Sequence, residues 1–430
     1  MGLVTAVLVV AALPLVAACT LHAARKPLLV LLPAYAATVP FGNGLAVPGL
    51  PESVFSGSSL TGLLLTVVLA CDLVFGRRGP RRVPVAVLAW LAFVALAGTT
   101  VYWSLSTLTT LEDFVTTLFV LALYVVVRLS DVDETVLSRL ELGILAGGLA
   151  ASAYGLYQFL TGTFVVGVAG DVRFGRDLID PNHLAANLLL PLAIAMARGT
   201  AQGRPARRAG YLLLAALLLV AIVLTGSRGG VLGVGAVLIA LALVSTRPVR
   251  VLLSGAAVVE EPVVDGARHG EDERTDRADD GDSGRTGVWQ VGLNGCEKYC
   301  LAGSGWGTFP VVYAEFLPRT PGAKVLRDPQ MGAHNIYLGA AVEAGLVGLL
   351  LLVTALALTV REALTIPRRY RGPPVAALAG LLFSSMLLGN LRFKYFWLVL
   401  LYVGVAHTVA ARRRAGEPVD APARTPADAR

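Results

Sequence analysis

The sequence predicts an all-α fold: a polytopic transmembrane helical bundle of 12–13 helices with one long extracytoplasmic loop. Three observations carry this. Of the 430 residues, 55% are hydrophobic and only 15% are charged; the mean hydropathy is +0.69; and apolar runs recur along the whole chain between short polar breaks. A run of about 20 apolar residues crosses the hydrocarbon core as a helix, because a helix satisfies its own backbone hydrogen bonds where no water can. Gly and Ala are frequent within the runs, and small residues let membrane helices approach closely.

Taken in order, the first run covers 3–21. Its end, Val16-Ala17-Ala18-Cys19, has the form of a lipoprotein cleavage site, but Met1 to Ala6 carries no basic n-region, so a first membrane helix is expected. The second run, 28–47, opens after Arg25-Lys26, and runs at 59–76 and 83–102 flank the basic break Arg77 to Arg82. Runs at 112–129 and 136–160 follow. The next, 183–198, is introduced by Asp180-Pro181-Asn182-His183, an N-capping Asp followed by Pro at the first helical position. Runs at 211–226 and 229–245 come next, then a short stretch at 249–259, and finally 335–360, 374–389 and 393–410.

Basic residues occupy every second loop: Arg25-Lys26, Arg77 to Arg82, Arg128 to Arg139, Arg198 to Arg208, Arg247 to Arg250, Arg361 to Arg371, and the tail from Arg412. Lys and Arg in short loops are retained on the cytoplasmic side. One topology fits all of them, with the C-terminus inside, the N-terminus outside and 249–259 crossing. The net charge of +7 is therefore a topology signal, and no nucleic-acid partner is expected.

This divides the chain into an N-terminal transmembrane bundle (1–259), an extracytoplasmic loop (260–334), C-terminal transmembrane helices (335–411) and a disordered cytoplasmic tail (412–430). Within the loop, 260–284 is acidic and almost free of apolar residues, which makes it a linker. Residues 285–334 hold Trp289, Tyr299, Trp306, Phe309, Tyr313 and Phe316 at spacings that predict short amphipathic helices. Cys19 and Cys71 fall in apolar runs and read as inert core residues. Cys296 and Cys300 lie in the loop, either bridged or free.

The candidate chemistry lies on the outer side, where cations are unexpected: Arg173, Arg176, Arg228, Arg285, Arg319, Lys324 and Arg327. Arg228 stands in Thr225-Gly226-Ser227-Arg228-Gly229-Gly230 between two apolar helices. A membrane-edge arginine is costly without a partner, and its planar fork suits a phosphate oxyanion; a helix-end arginine snorkelling to lipid headgroups explains it equally well. Arg285 and Trp289 share one helix face. Gly303-Ser304-Gly305-Trp306-Gly307-Thr308-Phe309 reads as a sharp turn or a sugar-stacking platform; no strand precedes it, so it is not a phosphate loop. His334-Asn335 stands where the loop re-enters the membrane, and histidine can take a proton from a sugar hydroxyl near neutral pH. Glu343, two turns further on, is a carboxylate within a span, where ionisable groups face a polar interior. Asn182 is a possible ligand contact and His183 an interfacial residue. Asp280-Gly281-Asp282 has the form of a glycosyltransferase metal site but lies in the acidic run, where chance accounts for it. No metal and no cofactor are expected.

In their order, Asp180-Pro181-Asn182, Thr225-Gly226-Ser227-Arg228-Gly229, Arg285 with Trp289, Gly303 to Phe309, His334-Asn335-Ile336-Tyr337-Leu338 and Glu343-Ala344-Gly345-Leu346-Val347-Gly348 resemble the O-antigen ligase and polymerase family over roughly 150–390. The resemblance implies a C-type membrane glycosyltransferase of bacterial cell-surface polysaccharide biosynthesis, inverting and metal-independent. It would act at the outer face of the cytoplasmic membrane on a polyprenyl-pyrophosphate-linked glycan, with a glycan, lipid or protein acceptor. It also implies that Arg228 and Arg285 hold the donor pyrophosphate and that His334 is the general base, with Asn182, Arg173, Arg176, Trp306, Asn335 and Glu343 in supporting roles. The acidic linker and the Cys296/Cys300 pair are departures from the family pattern. A polymerase joining lipid-linked repeats is an alternative within the same chemistry. A polysaccharide or lipid transporter is the alternative from another class, which would show broken helices in two matching halves.

Overall fold

The computed structural model describes residues 26–42, 45, 56–75, 83–162, 180–201, 204–245, 248, 285–321 and 332–416. These features of the sequence reading lie wholly or mostly outside the described residues: the first run, the basic break Arg77 to Arg82, the 249–259 stretch, the acidic linker with Asp280-Gly281-Asp282, the cations Arg173, Arg176, Lys324 and Arg327, and the tail beyond residue 416. Among the described residues there are thirteen α-helices and no strand. They are α1 (Pro27–Thr38), α2 (Gly57–Phe75), α3 (Val85–Thr99), α4 (Thr107–Leu129), α5 (Glu134–Thr161), α6 (Pro181–Thr200), α7 (Pro205–Leu224), α8 (Arg228–Val244), α9 (Arg285–Tyr299), α10 (Phe309–Phe316), α11 (Ile336–Thr365), α12 (Gly372–Ser385) and α13 (Lys394–Ala415).

Each of the eleven apolar runs within the described residues coincides with one helix, and α9 and α10 form the loop. Among the described residues, seven helices are long and apolar enough to cross a membrane, and three shorter apolar helices accompany them. The chain is a multi-pass helical membrane protein.

The most buried of the long spans is α13, which packs against α4, α5, α11 and α12. Its Phe396 and Trp397 meet Trp90 of α3 at ring-centroid distances of 5.8 and 5.1 Å, and Trp397 meets Tyr124 of α4 at 5.9 Å. Lipid tails are as apolar as side chains, so close packing rather than the hydrophobic effect holds such helices together. Backbones come close between α1 and α5, where a Cβ on Gly143 or Gly147 would overlap the backbone of Pro33 or Ala37. Cys71 is exposed on α2 and not in the protein core, although Leu65 and Leu69 of the same helix are buried there.

The described parts of the loops read as cytoplasmic, around Arg128 to Arg139, Arg198, Arg361 to Arg371 and Arg412, meet at one end of the bundle. There Arg412 pairs with Asp131 at 2.8 Å, Arg413 pairs with Glu134, and Arg198 pairs with Glu141 at 2.6 Å. The opposite end carries α9, α10 and the start of α11. Two polar linkages bind that end into the bundle: Leu105 N donates to the Ser304 carbonyl at 2.9 Å, and the Trp103 indole donates to the Ala302 carbonyl at 3.1 Å.

Candidate active site

The centre of the site is a break in α11. Gly345 has φ 74 and ψ −179, a conformation open in practice only to glycine. It interrupts the helical hydrogen bonds, and the 300–305 segment takes their place. Ser304 N donates to Val342 O at 2.8 Å, Gly305 N to Glu343 O at 3.0 Å, and Leu346 N to Cys300 O at 2.7 Å. The orphaned carbonyls of a kinked helix are thus satisfied by the glycine-rich turn, as buried backbone groups require. Glu343 locks the same junction with its side chain, accepting from Phe309 N at 3.1 Å.

Trp306 is held by three threonines. Its N–H donates to Thr100 Oγ1 at 2.9 Å, its indole donates to Thr117 Oγ1 at 3.2 Å, and its carbonyl accepts from Thr110 Oγ1 at 2.9 Å. The ring is 3% exposed and meets Phe93 edge-on at 5.6 Å. Of the two readings of the Gly303–Phe309 stretch, the geometry is that of the sharp turn; a ring so enclosed offers no open face for a sugar.

Beyond the turn, α9 and α10 pack through Val288, Val291, Phe309, Val312 and Phe316. Glu315 braces them, accepting from Lys298 Nζ at 2.8 Å and Tyr299 Oη at 2.6 Å. These two hydrogen bonds hold its carboxyl below the usual carboxylate range. Cys296 and Cys300 form a disulfide at the end of α9.

A cleft of about 190 Å³ opens above this junction, lined by His334, Asn335, Glu343 and Trp306 from the loop side and by His183 and Arg392 from the bundle. His334 adopts φ 46, a left-handed conformation uncommon for a residue with a side chain. Asn335 caps α11, its Oδ1 accepting from Tyr337 N at 2.9 Å and Leu338 N at 3.1 Å, so one end of that side chain is committed to the helix. Asp180 caps α6 as its sequence suggests, accepting from Asn182 N at 2.9 Å. This sets Asn182 in the first turn beside His183. The His183 ring stacks on Phe393 at 3.8 Å and hydrogen-bonds Tyr395 Oη at 2.9 Å. It belongs to the cleft wall, not only to the interface.

Arg285, the first residue of α9, lies near enough to act electrostatically on His183, as do His334 and Arg392. Arg228 is the first residue of α8 and is exposed. Ser227 caps that helix by accepting from Gly230 N at 3.1 Å. A cation at a helix N-terminus opposes the helix dipole, so the position favours an anion arriving to join it. Arg228 does not line the cleft that holds His334, although the adjacent Gly229 approaches Leu387, close to the cleft wall at Gly389.

Arg392, in the link between α12 and α13, has no motif around it and was not singled out from the sequence. It pairs with Asp113 of α4. Burial pushes its pKa down, but the Asp113 carboxylate and, behind it, Glu343 outweigh this and hold it above its ordinary value. The guanidinium stays charged.

Cleft, glycine-rich turn, His334 and Arg228 all fall in or against one segment, residues 213–353, and this segment matches the O-antigen ligase family model. About a third of the chain is thus similar to the O-antigen ligase family. No curated protein matches the chain. The matched segment begins within α7 and ends within α11, spanning the arginine at the mouth of α8, the α9–α10 loop and the kinked helix. His183, Asp113 and Arg392 come from outside it, so the cleft is completed by helices on both sides of the matched segment.

Proposed function

We propose that this ligase transfers a glycan from a polyprenyl-pyrophosphate donor to a hydroxyl acceptor on the extracytoplasmic face of the bacterial cytoplasmic membrane. The observation that carries this is one cleft joining a histidine in a constrained backbone conformation, His334, to the cation Arg392, with Arg285 near enough to act electrostatically on His183 in the cleft wall. The location follows from charge and chemistry. The cleft lies opposite the end where the basic loops gather, which is the cytoplasmic end by the retention of Lys and Arg, and the Cys296–Cys300 disulfide belongs to an oxidising compartment.

His334 accepts the proton of the acceptor hydroxyl as its oxygen attacks the anomeric carbon. The bond from that carbon to the diphosphate oxygen breaks, its electron pair leaves with the diphosphate, and the anomeric configuration inverts. Diphosphate is a stabilised anion that leaves without protonation, so the leaving side of the site calls for fixed cations rather than an acid. Arg228 and Arg285 take that role. Glu343 acts at one remove, by fixing the turn against α11.

Purified wild-type protein, given a lipid-pyrophosphate glycan and candidate acceptors, is expected to form a glycosylated acceptor identifiable by mass spectrometry. His334→Ala is expected to lower turnover by about 10²–10⁴-fold. Full transfer by both His334→Ala and Arg228→Ala, or lipid translocation without transfer by the wild type, would refute the reading.

A further inference from the structure

We infer that Arg392 is a third ligand for the donor's diphosphate, set in place from behind by Asp113. The inference rests on the glycan-transfer reading above and adds a residue to which the ligase domain match does not extend, since Arg392 lies well beyond residue 353.

The geometry is that of a cation prepared for an anion. Arg392 lines the cleft together with His334, so the base and this guanidinium share one small volume. One corner of the guanidinium is held: Nη1 donates to Asp113 Oδ2. Its other N–H groups have no hydrogen-bond partner among the described residues, and the side chain is 44% exposed. A planar fork tied at one edge, with its remaining donors in an open cleft, presents a fixed set of N–H groups to an oxyanion at little further cost in ordering.

Asp113 is the anchor rather than a competitor for that space. It does not line the cleft but sits behind the glycine-rich turn, pressed against Gly307 so closely that a Cβ there would overlap its carboxylate. The other carboxylate, Glu343, is occupied by Phe309 N. The two acidic groups nearest Arg392 are thus each committed to protein donors; Glu343 also lines the cleft, but its carboxylate accepts from the turn, and Arg392 is the charged group there with donors open to a ligand. This also gives Gly307 a reason: α4 reaches the site only because residue 307 has no side chain.

The test is calorimetric titration of the full chain in detergent with inorganic pyrophosphate, a short prenyl diphosphate and the corresponding monophosphate. Arg392→Gln is expected to weaken diphosphate binding by about ten- to a hundredfold, the loss of a charge-assisted hydrogen-bond pair, while monophosphate binding changes less. Arg392→Lys, which keeps the charge without the fork, is expected to fall between. Asp113→Asn is expected to lower the preference for diphosphate over monophosphate while leaving the melting temperature close to wild type. A purely structural role for Asp113 would do the reverse. If Arg392→Gln, folded by its melting curve, binds diphosphate as tightly as wild type while Arg228→Ala and Arg285→Ala do not, the inference is overturned and the glycan-transfer reading stands. If the wild type binds no diphosphate, both fall.

Discussion

Gly345 does more to shape the site than any residue with chemistry of its own. Its φ of 74 with an extended ψ breaks α11 just past Glu343, and the break is what lets backbone amides of the 300–305 segment dock on Val342 and Glu343. A residue with a Cβ would be strained in that conformation, and the Cβ would also press on the carbonyl of Leu301, 2.8 Å away. Gly345→Ala is therefore expected to lose about 1–3 kcal/mol and to lower glycan transfer further than that loss of stability explains, because Glu343 and the turn move with it. Melting curves and transfer rates on the same preparation measure both. A variant that loses stability without losing activity would show that the kink holds the helix but not the cleft. The same reasoning bears on what the sequence can disclose at this scale. His334 and Arg285 are recognisable because motifs surround them. Arg392 is 279 residues from Asp113 and stands between Leu391 and Phe393 with no motif around it, so nothing local marks it; only the packing of α13 against α4 creates the pair.

At the scale of elements, apolar length was enough to locate the helices, because a span must satisfy its hydrogen bonds internally and remain apolar for the thickness of the hydrocarbon core. It was not enough to show where a span bends or which face it buries. The α11 run reads as one helix although it holds two joined by a kink, since a single Gly within an apolar stretch is common in membrane helices. Cys71 illustrates the second limit: an apolar run is equally compatible with a lipid-facing and a protein-facing position. Close approach of helices leaves a clearer trace in small residues. On α5, Gly143 and Gly147 are four residues apart on one face and lie directly against the α1 backbone, the small-xxx-small arrangement that brings membrane helices together. Gly143→Leu is expected to push α1 off α5 and lower the melting temperature. Gly210→Leu, at a position with nothing near its absent Cβ, is expected to leave it unchanged. Equal melting of the two variants would refute a role for the seam.

For the molecule as a whole, the two ends of the bundle use charge differently. At the cleft end, carboxylates also pair with Lys298 and Arg392, but Arg392 still lines an open volume and Arg228 is exposed; the use of cations differs at the other end. At the basic end, they are consumed by carboxylates, and the deepest of these pairs is Arg128 with Glu362, at 2.6 Å and with side chains only 1% and 12% exposed. Arg128 runs alongside Gly404 of α13, whose missing side chain leaves room for the guanidinium. The pair thus ties α4, α11 and α13 together below the aromatic core. Arg128 Nε and Nη1, Glu362 Oε2 and Tyr124 Oη are buried without hydrogen-bond partners among the described residues, so the ion pair is only partly compensated there. Removing one partner of such a pair leaves an uncompensated charge and costs about 3–5 kcal/mol, whereas replacing both by apolar groups of similar size is often neutral. Arg128→Met alone is accordingly expected to lower the melting temperature sharply, and Arg128→Met with Glu362→Leu to recover most of the loss. Because the pair lies at the far end from His334, the double variant is also expected to retain glycan transfer. A double variant as unstable as the single one would mean that the pair contributes more than charge balance. A stable but inactive double variant would mean that the basic end takes part in the reaction cycle.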